Sequence, residues 1–186
     1  NFVGVSGGSF DDINPAAAIP ACRKAVAEQP DSPRLRHNLA RALEKGRQLK
    51  EALDEYATAA GYGLPASINA LGIMYLAGCG MEAPDVRRGV SLMVRAARFG
   101  DLEAETSLTA HDLLPHLSDK GRQLLQAALT GRVLYDGALD GRPSEALAEA
   151  VRKFQRAGNL KEKGLTLETI HALGLHDAVP QGFRSH

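Results

Sequence analysis

The stretch from Arg34 to Lys50 concentrates side chains that are suited to bind an anionic group. It carries six basic residues and one acidic residue, and the amide of Asn38 lies among them. Basic side chains bind carboxylates through charge-assisted hydrogen bonds, so this stretch could hold an acidic segment or the C-terminal carboxylate of a peptide. The same charges could instead be solvated on exposed helix faces, where each contributes little. The pattern leaves both interpretations open.

The histidines show no spacing that predicts catalysis or metal binding. His111-Asp112 with His116, and His176-Asp177, lack a third ligand at a suitable distance along the chain. The sequence also contains no HExxH motif and no phosphate-loop or dinucleotide fingerprint. We therefore predict a protein that is not an enzyme, has no catalytic residues and binds no metal or cofactor.

Small and apolar residues recur with the helical period, and the helices themselves recur along the chain. One stripe returns after 34 residues and again after a further 37; its members are Ala18, Cys22, Ala25 and Val26, then Ala52, Tyr56, Ala59 and Ala60, then Gly89, Met93, Ala96 and Ala97. A second stripe alternates with it, at Leu35, Leu39, Ala40 and Leu43 and then at Ser67, Leu71, Gly72 and Tyr75. No such helix can bury its apolar face alone, so the pattern predicts stacked antiparallel helix pairs.

Residues typical of helix starts and helix ends give the bounds of the predicted helices. Asn14-Pro15 and Ser32-Pro33 are typical of helix starts, and Gly46, residues 61–63 and Gly100 are typical of helix ends. The predicted helices span 15–28, 34–45, 49–60, 66–77, 86–98 and 102–113. Residues 1–13 are predicted to be an extended lead-in, with Phe2 or Phe10 packed on the first helix.

The pattern changes near Pro115. Ser118 predicts a helix through about Thr130, Ser144 and Thr166 predict the starts of two more, and residues 176–186 are expected to form a loose tail. The corner at 133–141 is expected to place its glycines where φ is positive.

Residues 66–100 resemble the Sel-one-like repeat, a relative of the tetratricopeptide repeat with a longer glycine corner. The matching residues are Leu71-Gly72, Tyr75, Gly78, Gly80-Met81, Asp85, Ala96-Ala97 and Gly100. The match is weaker over 34–65, and residues 14–30 supply only a second helix. The resemblance implies that the first helix of each pair lines a concave, protein-binding side. Positions there that avoid the packing stripe are Arg34, His37, Asn38, Arg41, Asn69, Ala70 and Ile73.

Residues 120–175 resemble the peptidoglycan-binding-like domain of three helices. The resemblance rests on Tyr135, Gly137, Asp140-Gly141, Ala150-Val151, Phe154-Gln155, Leu160, Gly164, Thr169 and Leu173. Ser144 and Leu147 depart from the family pattern. The resemblance implies peptidoglycan contacts by Tyr135, Asp140 and Gln155, although Tyr135 could instead belong to the core and Asp140 could cap the corner.

The two cysteines form no CxxC pair. Cys22 shares its stripe position with Tyr56 and Met93, which predicts a buried apolar side chain. Cys79 lies more than one repeat away, which is too far for a disulfide with Cys22. A partner for Cys22 outside these 186 residues would imply an oxidising compartment.

Charge and hydropathy exclude two classes of partner. Basic and acidic residues number 12 and 14 before Pro115 and 10 and 8 after it, so neither half is basic enough to predict nucleic-acid binding. No run of 18 apolar residues is present, so no membrane span is predicted.

The sequence therefore predicts an all-α chain, a short α-solenoid of helix-turn-helix repeats followed by a small three-helix domain. The expected division is a lead-in at 1–13, repeats at 14–115, the three-helix domain at 116–175 and a tail at 176–186. The resemblances imply a non-catalytic scaffold in a bacterial envelope, with a protein partner on the repeats and peptidoglycan on the C-terminal domain. The alternative is the regulatory C-terminal region of a larger bacterial enzyme.

Overall fold

The computed structural model of the chain describes residues 9–179 and confirms the all-α prediction. Within that range the chain forms nine α-helices and no β-strand. The helices are α1 Pro15–Glu28, α2 Pro33–Lys45, α3 Leu49–Gly61, α4 Pro65–Ala77, α5 Val86–Arg98, α6 Leu102–Thr109, α7 Asp119–Thr130, α8 Glu145–Ala157 and α9 Leu167–Leu173. None of the helices in residues 9–179 is both long enough and apolar enough to cross a membrane.

Short polar side chains start most of the helices, as predicted. The Asn14 side chain accepts a hydrogen bond from the backbone N–H of Ala16, and the Ser118, Ser144 and Thr166 hydroxyls cap α7, α8 and α9 in the same way. Ser32 occupies the cap position of α2, but its hydroxyl makes no capping hydrogen bond.

Helices α1 to α6 pack in chain order, each against the next, as expected of a solenoid. The helices approach most closely between α4 and α5, where Gly72 and Gly89 face one another. A Cβ atom at Gly89 would lie 2.8 Å from the Gly72 carbonyl oxygen and 2.8 Å from the Leu76 nitrogen. The absence of a side chain at both positions therefore lets the two backbones touch.

The apolar stripes form the core. Leu39, Leu43, Tyr56, Leu71 and Met93 are all buried, as the period predicts. The prediction was wrong for the neighbouring tyrosine of α4, at position 75. Tyr75 is half-buried: its side chain packs against the apolar cluster, and the Arg88 guanidinium lies 4.3 Å from its ring centre.

Both cysteines are free thiols, and burial raises the pKa of the Cys22 thiol. Cys22 is buried and Cys79 is half-buried.

The C-terminal helices share a core with the end of the solenoid. A continuous apolar cluster joins Val90 and Met93 of α5 to Leu125 of α7, Leu147 of α8 and Ile170 of α9. Helix α9 packs against α5 and α6. The division of the chain near residue 115 stays a prediction, because one continuous unit and two closely packed units would both give this cluster.

Asp112 sets the end of α6, which is shorter than predicted. The helix stops at Thr109, whereas the sequence predicted residue 113. The Asp112 carboxylate accepts from the backbone N–H of Leu114 at 3.0 Å and of Leu165 at 2.8 Å, and the Leu113 N–H donates to the Leu165 carbonyl at 2.8 Å. These bonds hold the chain outside a helical path.

The two ends and the corner also differ from the prediction. Phe10–Asp12 form a short 3-10 helix capped by Ser9 rather than an extended lead-in, and Phe2 lies outside the described residues. His176–Ala178 form another, with Ala178 packed in the core, so the expected loose tail is wrong for 176–179. Residues 180–186 lie outside the described range.

In the corner at 133–141 the positive φ angles belong to Val133 and Gly141, not to Gly137. Gly137 is needed for a different reason, because a Cβ atom there would collide with the ring and hydroxyl of Tyr135.

Candidate functional site

The first helices of the repeats enclose a cleft of about 580 Å³. Two of them present residues at helical spacing: His37, Arg41 and Glu44 from α2, and Ala66, Asn69, Ala70 and Ile73 from α4. Glu103 of α6, Tyr56 of α3 and Phe10 complete the lining among the described residues. We call this surface the α2–α4 cleft.

His37 joins α2 to α4 at the side of the cleft. Its Nδ1 lies 2.9 Å from the Ser67 hydroxyl oxygen, and its ring centre lies 5.5 Å from that of Tyr56. Burial, reinforced by the nearby Arg41 charge and opposed by Asp101, lowers the pKa of His37 to about 4. The imidazole is therefore neutral at pH 7 and acts as a positioning group, not as a cation.

Tyr56 fixes the first carboxylate of the cleft. Its hydroxyl donates a 2.8 Å hydrogen bond to Oε2 of Glu44. Burial and the adjacent Glu44 charge raise the pKa of Tyr56 far above its ordinary value, so the hydroxyl remains a donor. Oε1 of Glu44 is left to accept from another group.

Asn69 lies at the base of the cleft. The stripe pattern placed it on an open surface, whereas its side chain is only 2% exposed. Its Oδ1 is buried and has no hydrogen-bond partner among the described residues. A buried amide oxygen without a donor costs about 1–3 kcal/mol, so a ligand that pairs with this amide would recover part of that energy.

Five of the seven residues that the sequence predicted for a protein-binding face meet in the α2–α4 cleft. They are His37, Arg41, Asn69, Ala70 and Ile73. Arg34 is exposed and Asn38 is half-buried, and neither lines the cleft. The prediction for these residues as a binding site stays a prediction, but the structure brings five of them together from two helices.

The basic stretch at 34–50 does not form a continuous basic face. The Arg36 guanidinium pairs with Glu55 at 2.8 Å and donates to the Pro30 carbonyl, while the Lys45 ammonium lies 3.6 Å from the Asp11 carboxylate. Arg41 is the one member of the six that lines the cleft among the described residues. Most of the positive charge is therefore directed elsewhere.

Sequence reasoning missed the two carboxylates. Glu44 lies seven residues after His37, at the spacing that places both on one helix face, so the helical period could have found it. Glu103 comes from the next repeat, and no local pattern relates it to α2 or α4.

The three residues implied to contact peptidoglycan hold the C-terminal fold in this structure. The Tyr135 hydroxyl donates to the Ala138 carbonyl at 3.1 Å. Asp140 is exposed, and its Oδ1 accepts from the Arg142 N–H at 2.9 Å, so it caps the corner. Gln155 is fully buried and donates to the Gly164 carbonyl at 2.6 Å.

Two histidines near the end of the described residues also come together. His171 Nδ1 lies 3.1 Å from His176 Nε2, and burial lowers the pKa of both imidazoles. Among residues 9–179, no group of three potential metal ligands is present.

The tetratricopeptide repeat family matches residues 10–63 of the chain. The matched range covers α1, α2 and α3, so it includes the α2 side of the α2–α4 cleft. No curated protein and no solved structure gives a significant match.

Proposed function

We propose that the chain is a non-catalytic protein-interaction scaffold whose α2–α4 cleft binds an extended segment of a partner protein. The observation that carries this proposal is Asn69, a buried amide that lines the cleft and has no partner for its oxygen. A side-chain amide can pair with both the N–H and the C=O of a peptide backbone, because it carries one acceptor and two donors. The tetratricopeptide match over residues 10–63 supports an interaction role.

The remaining lining fits such a segment. Ala66, Ala70 and Ile73 give one apolar wall on α4, while Glu44 and Arg41 on α2 supply polar groups. Few residues of a partner can fit along two helices and part of a third, so we expect micromolar or weaker affinity.

The experiment is a selection of random linear peptides on phage against the full chain, followed by affinity measurements with synthetic copies of the selected peptides. Asn69→Ala should weaken their binding at least tenfold. Asn38→Ala is the matched control, because it removes the same amide from a position outside the cleft and should leave binding unchanged. Ala70→Leu fills the cleft by a separate route and should also weaken binding. Equal binding by Asn69→Ala and Ala70→Leu, each shown to be folded by circular dichroism, would refute the cleft as the site.

Peptidoglycan contact by the C-terminal helices and a place in the bacterial envelope, most specifically the periplasm, are a finer proposal. The resemblance of residues 120–175 supports them. The polar groups of Tyr135 and Gln155, by contrast, already form hydrogen bonds within the fold. The test is sedimentation of the full chain with insoluble peptidoglycan. Recovery in the pellet would support peptidoglycan binding, and a folded chain that stays in the supernatant would contradict it.

The alternative is a regulatory role beside a separate catalytic domain. Such a role would use the same α2–α4 cleft.

A further inference from the structure

We infer that the α2–α4 cleft selects a partner segment by a lysine or arginine side chain, whose charged head group lies at Glu44 and Glu103. This inference rests on the proposed function, and it replaces the acidic segment that the basic stretch suggested.

The charged side chains that line the cleft favour a basic ligand group. Two carboxylates, Glu44 and Glu103, face one guanidinium, that of Arg41, among the described lining residues. His37 adds no charge at pH 7, because burial keeps its imidazole neutral. An acidic side chain entering the cleft would meet a net negative charge, whereas a basic one would be attracted.

The two carboxylates have oxygen atoms that can accept further hydrogen bonds. Neither forms an ion pair with another described residue. Glu44 uses Oε2 to accept from the Tyr56 hydroxyl, which holds the carboxylate in place and leaves Oε1 for a further donor. Glu103 is exposed at the start of α6 and makes no hydrogen bond through its side chain to residues 9–179. Lys and Arg supply three and five N–H donors respectively, enough to satisfy both groups.

The apolar wall of the cleft fits the aliphatic part of a lysine or arginine side chain. Lysine and arginine bury their methylene chains against apolar surface while the charged end stays at a polar rim. The α4 wall offers Ala66, Ala70 and Ile73 for that stem. The half-buried Glu44 and the exposed Glu103 provide the polar end.

Asn69 lines the same cleft as the two carboxylates. Its buried amide lies beside Ala70 in the lining, and its Oδ1 has no partner within the described chain. Rotation about the Cβ–Cγ bond of Asn69 exchanges its amide oxygen and nitrogen. Either atom can therefore form a hydrogen bond with the backbone of the partner's lysine or arginine. Asn69 would then bind the backbone of the partner segment, and the two glutamates would determine which side chain is preferred.

The experiment uses three acetylated and amidated peptides of equal length that alternate alanine with lysine, glutamate or glutamine. Each is titrated into the full chain, and NMR shifts of the Ile73 methyl groups and the Asn69 amide report on the cleft. The lysine peptide should shift these signals at concentrations at least tenfold below those needed for the other two. The double variant Glu44→Gln with Glu103→Gln keeps an acceptor for Tyr56 and should remove that preference.

Glu82→Gln is the matched control, because Glu82 is an exposed glutamate outside the cleft, and its loss should not change the titration. Tighter binding of the glutamate peptide, or a lysine preference that survives the double variant, would overturn this inference. The phage-selected peptides would then still test the proposed function. That function fails only if their affinity is unchanged in Asn69→Ala and Ala70→Leu.

Discussion

Replacing Gly89 by alanine tests whether α4 and α5 touch through their backbones. The added methyl group would lie 2.8 Å from both the Gly72 carbonyl oxygen and the Leu76 nitrogen. These are backbone atoms of one helix, so they can recede only if the two helices separate. Such overpacking costs about 1–3 kcal/mol, whereas the better helix propensity of alanine returns about 1 kcal/mol. Because the methyl group would meet backbone atoms, which cannot rotate away, we expect a cost in the upper part of that range. The net loss in the free energy of unfolding should be about 1–2 kcal/mol.

Gly61→Ala is the matched control for this substitution. Gly61 is the last residue of α3, is exposed, and has no atom within 4 Å of where a Cβ would lie. The same change should therefore stabilise the chain by about 0.5–1 kcal/mol. Urea unfolding followed by far-ultraviolet circular dichroism measures both variants. A stabilising Gly89→Ala would show that the helices are not in contact at this glycine, and the packing described here would be wrong.

Three further predictions concern the core, the pH dependence of stability and the hydrogen bonds of Asp112. Leu71→Ala should cost about 2–5 kcal/mol in urea unfolding, because this leucine is only 5% exposed; a loss below about 1 kcal/mol would contradict its place in the core. The pKa of His37 is lowered to about 4, so its neutral form stabilises the fold fully above the unfolded-state pKa near 6.5; up to about 3 kcal/mol of that stability should be lost as pH falls from 6.5 towards 4. His37→Gln should flatten this part of the pH profile of unfolding, and an unchanged slope would contradict the burial of the imidazole. Asp112→Ala should lower stability by about 1–2 kcal/mol in thermal unfolding, because it removes the acceptor of the Leu114 and Leu165 N–H groups; an unchanged midpoint would show that water replaces it.

Local signals account for the helices that were predicted correctly. Helix α5 begins at an aspartate cap and ends before Gly100, and its apolar stripe faces the core, so its bounds follow from about fifteen neighbouring residues. The end of α6 could not be predicted in this way, because it depends on a bond from Asp112 to Leu165, 53 residues later. No periodicity connects those two positions.

The same distinction applies to the α2–α4 cleft. His37 and Arg41 follow one helix face, and Asn69 and Ile73 follow another, so the helical period places each pair together. The charge of the cleft could not be predicted, because it depends on which basic side chains find partners elsewhere. Arg36, for example, pairs with Glu55 of α3, and Glu103 arrives from α6.

The most direct test of the central claim is an NMR map of a phage-selected peptide bound to the full chain. We expect the largest shifts on the Asn69 side-chain amide and the Ile73 methyl groups, which line the α2–α4 cleft. Shifts confined to α7, α8 and α9, or to the faces of α1, α3 and α5 that lie outside the cleft, would contradict it.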